Sequence, residues 1–228
     1  MPRIILIETS TALCSTALAE DGRIVACRRS DEPRAHAART APFIDEMLRE
    51  RGLKVPDCDA VCVSSGPGSY TGLRVGVSTA KGLCFGAGLP LLSVGTLEVL
   101  FHQALNGGLP EGCRAVVPMV DARRMECYTA VFAPDGTLLR PVQAEEIGPD
   151  SFSDLLSEGP VLFIGDGADK CREALNHPNA RFVQACPDAA SMLRPALRAW
   201  EEKRFEDLAY FEPFYLKEFV AILPKRPF

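Results

Sequence analysis

The chain has 228 residues, 47% hydrophobic and 24% charged, with 25 Lys and Arg against 30 Asp and Glu and a formal charge of −5. Those fractions exclude a largely disordered chain, and the acidic balance excludes a nucleic-acid binder that works through a broad basic face. Glu8 interrupts the first apolar run, and the stretch 82–97, free of Asp, Glu, Lys and Arg, is too short to span a bilayer. Nine cysteines, several inside apolar runs, read as reduced and buried thiols, so a cytoplasmic protein with no membrane association is expected. Cys58 and Cys62 do not read as a metal pair, because residues four apart on a strand lie roughly 13 Å apart.

In chain order, residues 4–7 form a continuous Ile and Leu run expected to be a buried strand. Residues 14–19 alternate into a second strand, Glu20-Asp21-Gly22 makes a hairpin turn, and residues 23–28 return as a third. Ala37, Ala41, Ile44 and Leu48 fall at helical spacing within 34–51, and Pro42 places the start of the regular helix near Ala38. Residues 60–63 are a strand, 71–85 a helix, 91–94 a strand and 96–105 a helix. Further on, 115–120, 126–132 and 161–164 read as strands and 191–204 as a helix. The βββαβα order describes the α/β, ribonuclease-H-like core of the two-lobed actin and sugar-kinase (ASKHA) superfold. Residues 1–105 are expected to form one actin-like lobe, and 106–228 a smaller lobe and degenerate second copy.

The most unusual stretch is Ser64-Ser65-Gly66-Pro67-Gly68-Ser69-Tyr70-Thr71-Gly72-Leu73-Arg74, between a strand and a helix. It lacks the Gly-Lys-Ser/Thr of a phosphate loop and the Gly-x-Ser-x-Gly frame of a nucleophile elbow. As a plain turn it would use Ser69 or Thr71 as the helix N-cap. The helix that follows carries Gly72, Gly76 and Gly82, each costing up to about 1 kcal/mol relative to alanine. Close approach of another backbone would compensate. Gly72, Gly76, Thr79 and Leu83 fall on one face, which could receive a second helix of this chain or of a partner.

Gly66-Pro67-Gly68-Ser69-Tyr70-Thr71-Gly72-Leu73-Arg74-Val75-Gly76, continuing through Ala80-Lys81-Gly82-Leu83, resembles the hallmark of the bacterial TsaB (YeaZ) family, once called glycoprotease-like. Ile7-Glu8-Thr9-Ser10 with Cys14-Ser15, Arg34-Ala35-His36 with Pro42, the run Asp121-Ala122-Arg123-Arg124-Met125-Glu126-Cys127-Tyr128, and Tyr215-Leu216-Lys217 are similar to further stretches of that family. One departure is Glu8, where the family's first strand usually ends in Asp.

The resemblance implies a non-catalytic accessory subunit in making threonylcarbamoyladenosine in tRNA. It would bind and activate a paralogous, metal-holding (TsaD-like) catalytic subunit, with a small (TsaE-like) ATPase joining, and would meet tRNA only indirectly. It would pair with itself when alone. The implied partner interface is Ala37, Thr40, Ala41, Ile44, Gly72, Val75, Gly76, Thr79 and Leu83, with Arg74 and Lys81 as contacts to a phosphate or to the partner. No cofactor is expected beyond a nucleotide at that interface. His36, His102 and His177 offer no i, i+3 or i, i+4 pair, so no two-histidine helical metal site can be built. No Ser-His-Asp or Cys-His frame supports proteolysis. Asp121, Arg123 and Glu126 read as a strand-end salt-bridge set. The alternative is a nucleotide-dependent phosphotransferase of the sugar-kinase superfold, with Thr9-Ser10-Thr11-Ala12 and Gly165-Asp166-Gly167 as its phosphate loops.

Overall fold

The structure, a computed structural model, describes residues 1–217. Strands β1 (Ile4–Glu8), β2 (Cys14–Glu20) and β3 (Arg23–Ser30) form the antiparallel meander, and Asp21 (φ 49) and Gly22 (φ 72) supply the two positive φ angles of its first tight turn. Helix α1 (His36–Glu50), β4 (Ala60–Gly66), α2 (Tyr70–Ala87), β5 (Leu91–Gly95) and α3 (Thr96–Gly107) follow. The second half holds β6 (Ala115–Asp121), β7 (Glu126–Phe132), β8 (Leu138–Glu146), α4 (Ser153–Glu158), β9 (Val161–Gly165), β10 (Ala180–Gln184) and α5 (Leu193–Glu201).

The first sheet runs β3-β2-β1-β4-β5 and the second β8-β7-β6-β9-β10. In each, the first strand pairs antiparallel with the second and parallel with the fourth. The outer pairs have the same senses too, so the two sheets share one topology. Alternation along β1 and β4 buries both faces of the first sheet. Ile5, Ile7, Val61 and Val63 meet α1 and α2 through Ile44, Met47, Leu48, Val77, Ala80 and Cys84. Ile4, Leu6, Ala60 and Cys62 meet Met192, just before α5, and Ala196 and Ala199 of α5. In the second sheet Val116, Val120, Leu162 and Ile164 pack on α3, while the far face closes on Phe152, Leu156, Cys171 and Leu175. The packing therefore does not divide at residue 105, because α5 returns from the second half to cover the first sheet.

Helix α1 begins at His36, two residues before the start expected from Pro42. Pro42 and Ala38 both lie on the exposed side, so the carbonyl that loses its intrahelical donor is on the solvent side. The expected helix 191–204 is a 3-10 turn over Ala189–Met192 followed by the nine residues of α5. Strands β8 and β10 and helix α4 carry no periodic signal in the sequence.

After α5, residues 205–217 run as an irregular strap. The Glu206 amide donates to Leu91 O (2.8 Å), Lys81 Nζ donates to Ala209 O (3.2 Å) and Phe211 O (3.1 Å), and the Phe214 amide donates to Ser65 O (2.7 Å). Tyr215 lies against Tyr70 with ring centroids 4.9 Å apart, and Lys217 pairs with Glu126 of β7. The strap thus begins on the edge of the first sheet and ends on the second.

Candidate functional site: a helix face and an interlobe cleft

Ser69 caps α2 by accepting from the Gly72 amide (3.3 Å), and Gly88, left-handed at φ 68, ends it. The glycine face points inward. A Cβ on Gly72 would sit 2.1 Å from Thr9 O, and one on Gly76 would sit 2.2 Å from Thr9 Oγ1. Gly68 faces Ser10 O in the same way, at 2.3 Å. The close neighbour that pays for the glycines is the β1–β2 loop of this chain, and Thr9 Oγ1 donates to Gly72 O (2.8 Å) to seal the contact. Gly72 and Gly76 are therefore corrected from partner-facing to core positions. Thr40 and Ile44 are buried as well, Thr40 by donating its hydroxyl to His36 O (2.6 Å) and Ile44 within the core beneath the sheet.

The other expected interface residues, Ala37, Ala41, Val75, Thr79 and Leu83, lie on the outward sides of the two helices. On α1, Ala37, Ala38, Ala41 and Pro42 are exposed. On α2, Thr71, Arg74, Ser78, Gly82, Phe85 and Gly86 are exposed and Val75, Thr79 and Leu83 are partly so. Phe85 is 85% exposed. A groove of about 290 Å³ lies beside the helices, with Ala41, Ile44, Asp45 and Leu48 on one wall and residues 53–56 with Leu83 on the other. Phe85 went unnoticed in the sequence because its neighbours are equally apolar, and only the phase of α2 turns it outward.

The two cations of α2 are engaged within the chain. Lys81 holds the strap, so its expected phosphate or partner contact is corrected to a structural one. Arg74 donates to the Tyr70 hydroxyl (3.2 Å), with its guanidinium 5.4 Å from that ring's centroid.

A larger cavity, about 920 Å³, opens between the halves. Ser10 to Ala12, Arg34, His36 and the first turn of α2 line it from the first half, Asp121 to Arg123, Tyr128 and Asp166 from the second, and Phe214 to Lys217 from the strap. His36 Nε2 donates to Thr11 O (2.9 Å), which ties α1 to the β1–β2 loop. The expected mutual set Asp121, Arg123 and Glu126 resolves into separate pairs. Asp121 pairs with Lys170 and accepts from the Arg123 amide (2.7 Å), and Glu126 pairs with Lys217. The Arg123 side chain joins no ion pair among the described residues. Gly165 and Gly167 serve packing. A Cβ on Gly165 would sit 1.9 Å from Met119 O, and one on Gly167 would sit 2.8 Å from Cys127 Sγ.

Glu8, at the end of β1, is fully buried. One carboxylate oxygen accepts from the Ser10 amide (2.6 Å) and the other has no partner among the described residues. Burial pushes its carboxyl up to about 7 against the opposing pull of the Ser10 amide. Among the described residues no three His, Cys, Asp or Glu side chains gather as a metal site, and no helix is long and apolar enough to cross a membrane.

Two five-stranded sheets of one topology, joined across a cleft and covered by helices, define an actin-like, ribonuclease-H-like α/β protein. An activator of 2-hydroxyisocaproyl-CoA dehydratase from Clostridium difficile shares that fold at TM-score 0.50 and 10% identity, over 89% of this chain and 96% of its own. The chain belongs to the TsaB (YeaZ) family. It is 30% identical over 96% of both chains to the tRNA threonylcarbamoyladenosine biosynthesis protein TsaB of Escherichia coli, and 32% identical to the Bacillus subtilis protein of the same name over 71% of this chain and 70% of that one. YeaZ from Pseudomonas aeruginosa superposes at TM-score 0.82 with 26% identity, over 95% of this chain and all of that one. The family profile described as TsaD, tRNA N6-adenosine threonylcarbamoyltransferase, matches residues 30–224.

Proposed function

We propose that this chain works in the synthesis of threonylcarbamoyladenosine in tRNA as a non-catalytic subunit. It binds and activates a paralogous, metal-holding transferase through the outer face of α1 and α2. The observation that carries this reading is that face itself. Ala37, Ala41, Val75, Thr79, Leu83 and Phe85 turn small and apolar side chains of two adjacent helices toward solvent, beside the exposed charges Arg39, Asp45 and Glu46 of α1. There is no Asp or Glu anywhere in α2. Burying Phe85 alone would contribute about 1.5–3 kcal/mol, and small residues on α1 let a second helix pair approach closely. Support for the pathway comes from the names of the full-length relatives, and support for a paralogous partner from the transferase profile that matches this chain. A small ATPase completes the assembly, tRNA meets this chain only indirectly, and two copies pair through the same face when the transferase is absent.

The test is calorimetric titration of the chain with the paralogous transferase of the same cell. Ala41→Glu and Phe85→Asp, both on exposed positions, are expected to weaken binding at least about tenfold without changing the circular dichroism spectrum. Wild-type affinity in both variants sinks the reading.

A further inference from the structure

Nine cysteines are spread along the chain, and among the described residues one pair of thiols shares a hydrogen bond. Cys127, the second residue of β7, and Cys171, the last residue of a 3-10 turn over Asp169–Cys171, lie with their sulfurs 3.6 Å apart. We propose that these two residues form a dithiol that a hydroperoxide converts to an intrachain disulfide, fastening β7 to the turn that follows β9. Neither residue lines the interlobe cavity or belongs to α1 or α2, so the inference is independent of the docking reading.

The fold brings the two sulfurs together from opposite sides. Alternation along β7 turns Cys127 and Val131 toward one face of the second sheet and Tyr128, Ala130 and Phe132 toward the other. The 3-10 turn lies over the first of these faces. The Cys171 amide donates to Ala168 O (3.2 Å), and Cys171 O accepts from the Leu175 amide (2.9 Å), which sets the Cys171 side chain into the same core. Gly167 O lies 3.8 Å from Cys127 Sγ, where a side chain on Gly167 would collide with the sulfur. A disulfide bond is about 2.05 Å long, so the sulfurs have to close by about 1.5 Å. That movement falls on the turn, because β7 is held between β6 and β8.

Cys171 is the member that reacts first. The hydrogen bond from Cys127 and the Lys170 ammonium both favour its thiolate and hold its thiol below the ordinary value, against the cost of burial. Cys127, which donates that bond from a buried position, is pushed up. The Cys171 thiolate attacks one oxygen of hydrogen peroxide. The S–O bond forms as the O–O bond breaks, and the departing hydroxide takes the proton that Cys171 gave up and leaves as water. The Cys127 sulfur then attacks the Cys171 sulfenic acid. The S–S bond forms as the S–O bond breaks, and the departing hydroxide takes the Cys127 proton. Two electrons pass from the thiols to the peroxide, and two waters are released. Both thiols are buried, so entry waits for the turn to lift and suits a small uncharged oxidant.

The test treats the full folded chain with about 1 mM hydrogen peroxide, removes the excess with catalase, and maps the unreduced peptides by mass spectrometry. A cross-link between Cys127 and Cys171 is expected to exceed every other cysteine pair by about tenfold, since only this pair starts within reach of a bond. Dithiothreitol should remove it. Oxidation in guanidinium should scatter the pairings among the nine cysteines instead. The folded oxidised chain should melt about 3 °C or more above the reduced one, because the bond closes a loop of 44 residues in the second half. Absence of this cross-link in the folded chain overturns the inference. So does an even spread of pairs, a product that dithiothreitol does not restore, or a melting temperature that oxidation leaves unchanged or lowers.

Discussion

The two halves build one sheet twice and cover it differently. In the first, the crossovers around β4 are α1, with 15 residues, and α2, with 18. In the second, the crossovers around β9 are α4, with six residues, and a 3-10 turn of three over Asp169–Cys171. Both arrangements close the sheet beneath them, since Val161, Val117 and Phe163 are as fully buried as Ile5, Ile7 and Val61. Short crossovers are thus sufficient for the core. The additional turns of α1 and α2 supply an outer face that the fold itself does not need, and that face is the one nearly free of charge on α2.

The comparison is broken most severely at the glycines. Gly76→Val should place a branched side chain on Thr9, part the β1–β2 loop from α2, and cost about 3 kcal/mol or more, read as a fall in the urea midpoint. The same helix offers the control. Nothing among the described residues lies within 4 Å of a Cβ on Gly82, so Gly82→Ala should instead stabilise by about 0.5–1 kcal/mol in the same experiment. Loss of stability there would refute the assigned phase of α2.

Next in size is the pH response of Glu8, which has no buried counterpart at the end of β6, where Asp121 is exposed. Its carboxyl is raised from 4.5 to about 7, so the folded state holds the proton more tightly than the unfolded chain. The stabilisation this gives is complete below about pH 4.5 and is lost as pH rises to about 7. Glu8→Gln should flatten that slope and be more stable than wild type at pH 8, by up to about 3 kcal/mol in denaturant titrations. His102, pushed down to about 4 by burial, is common to both proteins and cancels in the difference. An unchanged pH profile would mean that the carboxyl is solvated.

A smaller effect is expected at the strap. Lys81→Ala removes two charge-assisted hydrogen bonds and should cost about 1–2 kcal/mol. It should also speed proteolysis after Lys203 and Arg204 without altering the rest of the chain. An equal protection of that segment in both proteins would show that Leu208 and Phe211, packed on the core, suffice to hold it.

The same contrast accounts for what could be read from sequence. The first half announced itself because β1, β2 and β4 are buried on both faces and its helices end at or next to glycines, so apolar runs and punctuation coincide. Strands β8 and β10 are the edges of the second sheet, and Leu138, Leu139 and Val183 are exposed there, which erases the alternation that marks a strand. For the site, the spacing of Gly72 and Gly76 correctly demanded a close neighbour, but spacing carries no information about whose backbone it is. The loop that fills the space lies 63 residues away. Lys81 misled for a related reason. A cation between glycines invites a phosphate, whereas its partners are carbonyls 128 and 130 residues further on. Convergence of the Arg34 and Arg123 motifs on one cleft was invisible until both sheets were placed.

The return of α5 to the first sheet bears on the order in which this protein can be made. When the first 107 residues have left the ribosome, one face of that sheet is already covered by α1 and α2. The other has only Val99 of α3 against Ile4, Leu6, Ala60 and Cys62, because Met192, Ala196 and Ala199 have not yet been synthesised. The amino-terminal half must therefore persist with a half-covered apolar surface while more than eighty further residues emerge, and residues 189–199 finish the sheet begun by the first.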